Sequence, residues 1–128
     1  MIPARTAAVV AVVGFLVIVA FQAALALGAP LGQAAWGGAH RRLPPRLRVG
    51  SAVAVTIWLL AGSIVLGRAG FELVSLPSGV ERWGAWAVVG LLVVGALMNA
   101  ASSSPWERFG WAPVSAILAA FTVVVAAS

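Results

Sequence analysis

Residues 6–28 read TAAVVAVVGFLVIVAFQAALALG, a run with no charged residue. At about 1.5 Å rise per residue the run spans roughly 35 Å as a helix, enough to cross a hydrocarbon layer of about 30 Å. Lipid offers backbone groups no partners, so a continuous apolar run of this length reads as a transmembrane helix. Outward from it, the charges cluster so as to leave three further gaps, Val49 to Gly67, Trp83 to Trp106 and Phe109 to Ser128. The chain is therefore expected to be all-α, a single polytopic membrane domain over residues 1–128. Its four transmembrane helices are expected at about 6–28, 49–67, 79–101 and 105–127. A transmembrane barrel would alternate polar and apolar residues along each strand, and these runs do not.

Composition excludes a water-soluble fold: 62% of residues are hydrophobic and 9% charged, with a mean hydropathy of +1.08. Soluble domains hold roughly 45–50% apolar and about 25% charged residues. The chain has no Cys, which removes disulfides, thiol redox chemistry and thiolate metal sites together. The formal charge of +5 comes from eight Arg against Glu72, Glu81 and Glu107, with no Lys and no Asp. On a membrane protein such an excess reflects topology and anionic lipid, so no nucleic-acid partner is expected. All-Arg usage with abundant Ala, Val and Gly points to a GC-rich bacterial genome and hence to a bacterial cytoplasmic membrane.

Ala24-Leu25-Ala26 after the basic start at Arg5 resembles a signal-peptidase site. Cleavage there would leave Arg41, Arg42, Arg46 and Arg48 on the translocated side, against the positive-inside tendency, so an uncleaved first helix is expected. The connection that follows, residues 29–48, reads APLGQAAWGGAHRRLPPRLR. Pro30 can start a short interfacial segment and Gly37-Gly38 can stop it, with Leu31, Ala34, Ala35 and Trp36 at the interface. Pro44-Pro45 then predicts an extended stretch before the second helix.

Two capping boxes follow from spacing. Ser78 with Glu81 predicts the start of the third helix, and Ser104 with Glu107, with Pro105 between them, the start of the fourth. Pro113 should kink that fourth helix, because its missing donor leaves the carbonyl of Phe109 unpaired. Trp83, Trp86, Trp106 and Trp111 lie near predicted helix ends, where indoles anchor at the headgroup level.

Arg41, Arg42, Arg46, Arg48 and Arg108 fall on the side of loops one and three, and Arg5, Arg68 and Arg82 on the other. Loops one and three are therefore expected in the cytoplasm and both termini outside.

No ionisable residue lies within the apolar runs of the four spans, the three Glu falling in connections or first helical turns, which argues against a proton-coupled pump. Small multidrug transporters share the size but depend on an acidic residue in the first helix, and this first helix has none. One His and no Asp leave few ways to assemble a nucleophile, a base and an orienting group, so no enzyme, cofactor or metal site is expected. Gln22 and Asn99 are the two primary amides in the spans, and each is expected to hydrogen-bond across a helix interface. Ala20, Ala24, Gly28 and Gly32 recur every four residues, a stripe that suits close packing against a neighbouring helix, of this chain or of a second copy. His40 with Arg41, Arg42, Arg46 and Arg48 forms a basic cluster suited to anionic lipid headgroups.

The segments GAPLGQAAWGGAHRRLPPRLR and NAASSSPWERFGWAPV resemble signature segments of an uncharacterised family of small, four-helix bacterial integral membrane proteins. Its pattern is a G-A-P-x-G turn leading to a Gly pair, a Leu-Pro and an Arg, matched here by Gly28, Ala29, Pro30, Gly32, Gly37, Gly38, Leu43, Pro44 and Arg48. A later N-x-x-S-x-S-x-x-E-R segment before W-x-P-V is matched by Asn99, Ser102, Ser104, Glu107, Arg108, Trp111, Pro113 and Val114, with a slight departure. The resemblance implies that both connections on the Arg-rich side carry a shared structure or site, and it transfers no activity.

The sequence reading is a small integral membrane protein of unstated molecular function, a non-catalytic component or accessory subunit acting with a second copy or another membrane protein. The alternative is an oligomeric small-solute transporter or channel lined by Gln22, Asn99 and the Gly-rich connection. Because the chain has no Cys, single-Cys variants test the topology directly: a Ser103→Cys thiol should label only from the cytoplasmic side and a Ser75→Cys thiol only from outside.

Overall fold

The computed structural model of the chain describes residues 2–71, 73 and 75–128. Glu72, counted above among the three Glu, lies outside them. Four helices long and apolar enough to cross a membrane make up the fold: α1 (Ala4–Ala26), α2 (Pro45–Arg68), α3 (Ser78–Ala100) and α4 (Ala112–Ala126), the last continuing a π-helical turn at Glu107–Trp111. The described residues contain no strand. The protein is a multi-pass membrane protein with loops one and three at the same end of the bundle.

Side-chain size is distributed as lipid requires. Between helices in a membrane there is little hydrophobic driving force, so close packing through small residues does the work. The buried positions are rich in Ala7, Ala8, Ala11, Ala61, Ala85 and Ala119, whereas Val9, Val13, Leu16, Val17, Leu59, Leu60, Val94 and Leu97 are exposed. The larger core residues Phe15, Val65, Val88, Leu92, Leu118 and Val125 gather around α1, which packs on both α2 and α4. At Gly14 a Cβ would fall 2.3 Å from a Leu118 methyl, so this glycine sets the approach of α1 to α4. Phe15 meets Trp58 of α2 with ring centroids 5.3 Å apart.

The helix boundaries correct several expectations. The second helix begins four residues earlier than expected, because only Pro44 is extended while Pro45 occupies the first helical position, where its missing donor costs nothing. Arg46 and Arg48 therefore belong to a helix turn. The third helix starts at Ser78 itself after an extended Pro77, and no side chain caps it. The expected Ser78–Glu81 box is absent: the Glu81 N–H donates to the Pro77 carbonyl at 3.1 Å, while its carboxylate leans against Gly67 of α2.

At the fourth helix half of the expected box forms, the Glu107 N–H donating to Ser104 Oγ at 3.4 Å. At the position of the expected kink a π-turn precedes Pro113: the Ala112 N–H bonds to the Glu107 carbonyl, five residues back, and Pro113 falls in the first turn of α4.

The first helix stops at Ala26, and Gly28 has φ +94°. The Ala20–Ala24–Gly28–Gly32 stripe is therefore not one helical face. Loop one forms two short 3₁₀ turns, Gly32–Ala34 and Trp36–Gly38, separated by an extended Ala35 that is buried with Leu25 and Leu43 and so is not interfacial.

Arginines finish the helices. Arg48 Nε donates to the Ala26 carbonyl at 2.9 Å and Arg42 to the Gly28 carbonyl at 3.2 Å, both at the end of α1. Arg5 reaches the Gly70 carbonyl after α2, Arg108 the Ser102 carbonyl after α3, and Arg68 the Ala126 carbonyl of α4. Each pairs a cation with the negative end of a helix dipole. Arg48→Ala should lower stability by about 1–2 kcal/mol, read as a fall in the thermal midpoint in detergent, with Arg48→Lys recovering only part of it. Arg82→Ala, whose guanidinium lies 5.4 Å above the exposed Trp83 ring, should change it little.

Candidate functional site

Loop one is latched onto loop three. Ser104 Oγ donates to the Gln33 carbonyl at 2.6 Å, and the Gly37 N–H donates to Glu107 Oε1 at 2.9 Å. The same carboxylate oxygen accepts from Ser102 Oγ at 2.6 Å, and Ser102 Oγ in turn accepts the Ser104 N–H. Closing this latch requires three consecutive residues in the left-handed region, Trp36 at φ 51°, Gly37 at 82° and Gly38 at 78°. Glycine adopts such values freely, and tryptophan does so at a cost. What holds Trp36 there is visible: its Nε1 donates to the fully buried Ser51 Oγ at 3.1 Å, and its ring lies against Gly50, where a Cβ would come within 2.9 Å. Below it, Gly32 donates to the Arg41 carbonyl at 2.8 Å, with no room for a side chain beside the His40 carbonyl.

Beneath the latch lies a cavity of about 830 Å³ bounded by all four helices and loop one. Its polar end carries Gln22, His40, Arg46, Asn99, Ser102 and Glu107. Its apolar part is formed by Ile18 and Phe21 of α1, Trp58 of α2, and Leu91, Leu92 and Met98 of α3. Gln22 Oε1 and His40 Nδ1 are buried without a hydrogen-bond partner among the described residues. A buried polar atom left unpaired costs about 1–3 kcal/mol, so both atoms mark strain beside the cavity. The volume falls within the range of about 300–1,000 Å³ typical of small-molecule sites.

The cavity opens sideways. Near loop two α2 and α3 pack closely, Ile64 lying against Gly84 and Glu81 against Gly67. Toward loops one and three the cavity lies between them, with Ala54 and Trp58 on one wall and Leu91, Gly95 and Met98 on the other. Leu91 and Met98, both on that wall, are exposed, 42% and 69%, so the wall is not closed off from the surroundings of the bundle.

The expected site residues divide accordingly. Gln22 and Asn99 share the cavity, and among the described residues neither makes the interhelical hydrogen bond expected of it, because the cavity lies where the helices would otherwise meet. Of the basic cluster, His40 and Arg46 line the cavity, Arg42 and Arg48 are engaged at the end of α1, and Arg41 is exposed outside it. Ser104 and Glu107 belong to the latch, whereas Ser78 and Glu81 lie at the opposite end of the bundle. Two site residues had other readings or none. Trp111, expected as an interfacial anchor, lines the cavity with its ring 4.9 Å from that of Phe21. Trp58 carried one signal that could have found it, a tryptophan in mid-span where an interfacial role does not apply.

Fold and cavity together define a multi-pass membrane protein with a polar-headed cavity at one end of its bundle. No protein-family model, curated protein or solved structure matches the chain. Glu107→Ala removes both carboxylate contacts of the latch, and amide hydrogen exchange at Gly37 should accelerate by at least about tenfold, since hydrogen bonds to charged groups contribute roughly 1.5–3 kcal/mol. Glu107→Gln keeps an acceptor oxygen and should give a smaller change.

Proposed function

We propose that this protein is a non-catalytic component of the bacterial cytoplasmic membrane that binds a membrane-dissolved amphiphile, with loops one and three in the cytoplasm and both termini outside. The observation that carries the reading is the construction of the cavity. Its polar end, with unpaired Gln22 Oε1 and His40 Nδ1, sits at loop level, and its apolar part opens between α2 and α3 toward the region of the acyl chains. A water-soluble ligand would have no use for that apolar wall, and a pure hydrocarbon none for the polar end. A binding role without chemistry fits the side chains present. Ser102 and Ser104 hydroxyls are engaged by Glu107 and the Gln33 carbonyl, and His40 Nδ1 has no partner to orient it as a base.

The transporter reading has one observation in its favour, that Gln22, Asn99 and Gly37 line one cavity. Against it, the half of the bundle near the termini is filled by Ala8, Val65, Val88 and Val125, so a single bundle offers no continuous polar path. Purified in mild detergent and analysed by native mass spectrometry, the protein should carry about one bound amphiphile per chain. Gln22→Leu, which removes a hydrogen-bonding group worth about 1–1.5 kcal/mol, should reduce occupancy roughly tenfold, and Arg41→Ala should leave it unchanged. A chain that carries no amphiphile, or a Gln22→Leu variant that carries as much as the parent, would sink the reading. Solute flux into liposomes that is lost in Asn99→Leu would favour the transporter instead.

A further inference from the structure

We infer that the amphiphile of this cavity is a zwitterionic phospholipid whose head pairs a phosphate with a primary ammonium, an inference that rests on the binding reading above. The fixed charges decide it. At this end of the bundle Arg42, Arg48 and Arg108 each donate to a main-chain carbonyl. Arg46, exposed to the surroundings, also lines the cavity and makes no hydrogen bond among the described residues, so it is the cation at the cavity mouth free to meet a phosphate. Glu107 lines the same cavity; its Oε1 is occupied by Gly37 and Ser102, while its Oε2 accepts nothing among the described residues.

One cation and one anion on the wall match a head of the same two charges. An anionic head with a hydroxyl in place of the amine would satisfy Arg46 through its phosphate but leave the Glu107 carboxylate without a cation. The free carboxylate oxygen also discriminates between amines. Glu107 Oε2 accepts hydrogen bonds, and a primary ammonium carries three N–H donors where a quaternary one carries none. The polar end lies at the level of loops one and three, where a phospholipid head resides, and the acyl chains leave through the opening between Trp58 and Leu91. The basic cluster thus contributes one residue, Arg46, to a head-group site that is neutral as a whole.

The test is competitive native mass spectrometry on the full chain, delipidated in detergent and titrated with phosphatidylethanolamine, phosphatidylglycerol and phosphatidylcholine of identical acyl chains. Phosphatidylethanolamine should be retained about tenfold over either other lipid, the size expected of one charge-assisted hydrogen bond. Glu107→Gln should abolish the preference over phosphatidylglycerol, and Arg46→Gln should weaken all three lipids together. Glycerophosphoethanolamine, the same head without chains, should fail to displace the lipid at equal concentration; displacement would overturn the requirement for an amphiphile. Retention of phosphatidylglycerol equal to or above phosphatidylethanolamine would overturn the zwitterion inference while leaving the binding cavity standing. Retention of no lipid in any arm would overturn both.

Discussion

The constraint on which the rest of this structure depends is that a helix ends with carbonyls that have no partner within it. At the membrane surface these groups lie where water is scarce and the helix dipole leaves partial negative charge. Here every one of the four ends is met by a guanidinium from elsewhere in the chain. The start of α2 holds the end of α1 through Arg48, and the start of α1 holds the end of α2 through Arg5. Arg108 returns to the end of α3, and Arg68 crosses from the end of α2 to that of α4. Arg48, Arg5 and Arg108 tie antiparallel neighbours, and Arg68 joins the ends of the parallel helices α2 and α4. They also give a physical reason for the exclusive use of Arg, since a forked planar donor reaches a carbonyl through Nε or Nη as local geometry permits, which a single ammonium cannot do.

The four spans were legible because lipid imposes one rule on all of them: long charge-free runs must be helices. Their ends were less so. The capping rules used for soluble helices make Ser78 the cap of a third helix from about residue 79 and put an end near Gly28, whereas α3 starts at Ser78 after an extended Pro77 and α1 ends at Ala26. The reason at α1 is that its end is fixed by Arg48, distant in sequence, which no local pattern reveals. The same limit applies to Pro113. Its missing donor is evident in the sequence, whereas the π-turn before it at Glu107–Trp111 adjoins the engagement of Glu107 with Gly37, which no local pattern reveals.

At the site, the residue types were legible and their relation was not. Two amides in apolar spans invite the expectation of a hydrogen bond between helices. That expectation presumes that the helices converge at that depth. Instead α2 and α3 approach near Gly84 and Gly67 and leave a cavity at the other end, a consequence of small residues and Ile64 at one level and large side chains such as Trp58 and Met98 at the other. The basic cluster was similarly legible as charge, while its division into carbonyl caps, a surface charge and one cavity residue follows from where Pro45 starts the helix.

The departures from local regularity are concentrated in one region. Trp36 in the left-handed conformation, the π-turn at Glu107–Trp111, and the unpaired atoms of Gln22 and His40 all border the same cavity. Each costs free energy that a regular loop, a plain α-helix or a leucine would save. Elsewhere the bundle is closely packed, with guanidinium donors at its helix ends and small residues at its contacts, the buried Arg68 Nε at the opposite end, unpaired among the described residues, being an exception. Sites that violate local preferences while their surroundings obey them are where function is expected to reside. Glu107 joins the two halves of that argument, because one oxygen of its carboxylate closes the latch that forces Trp36 into its conformation while the other is left to the cavity.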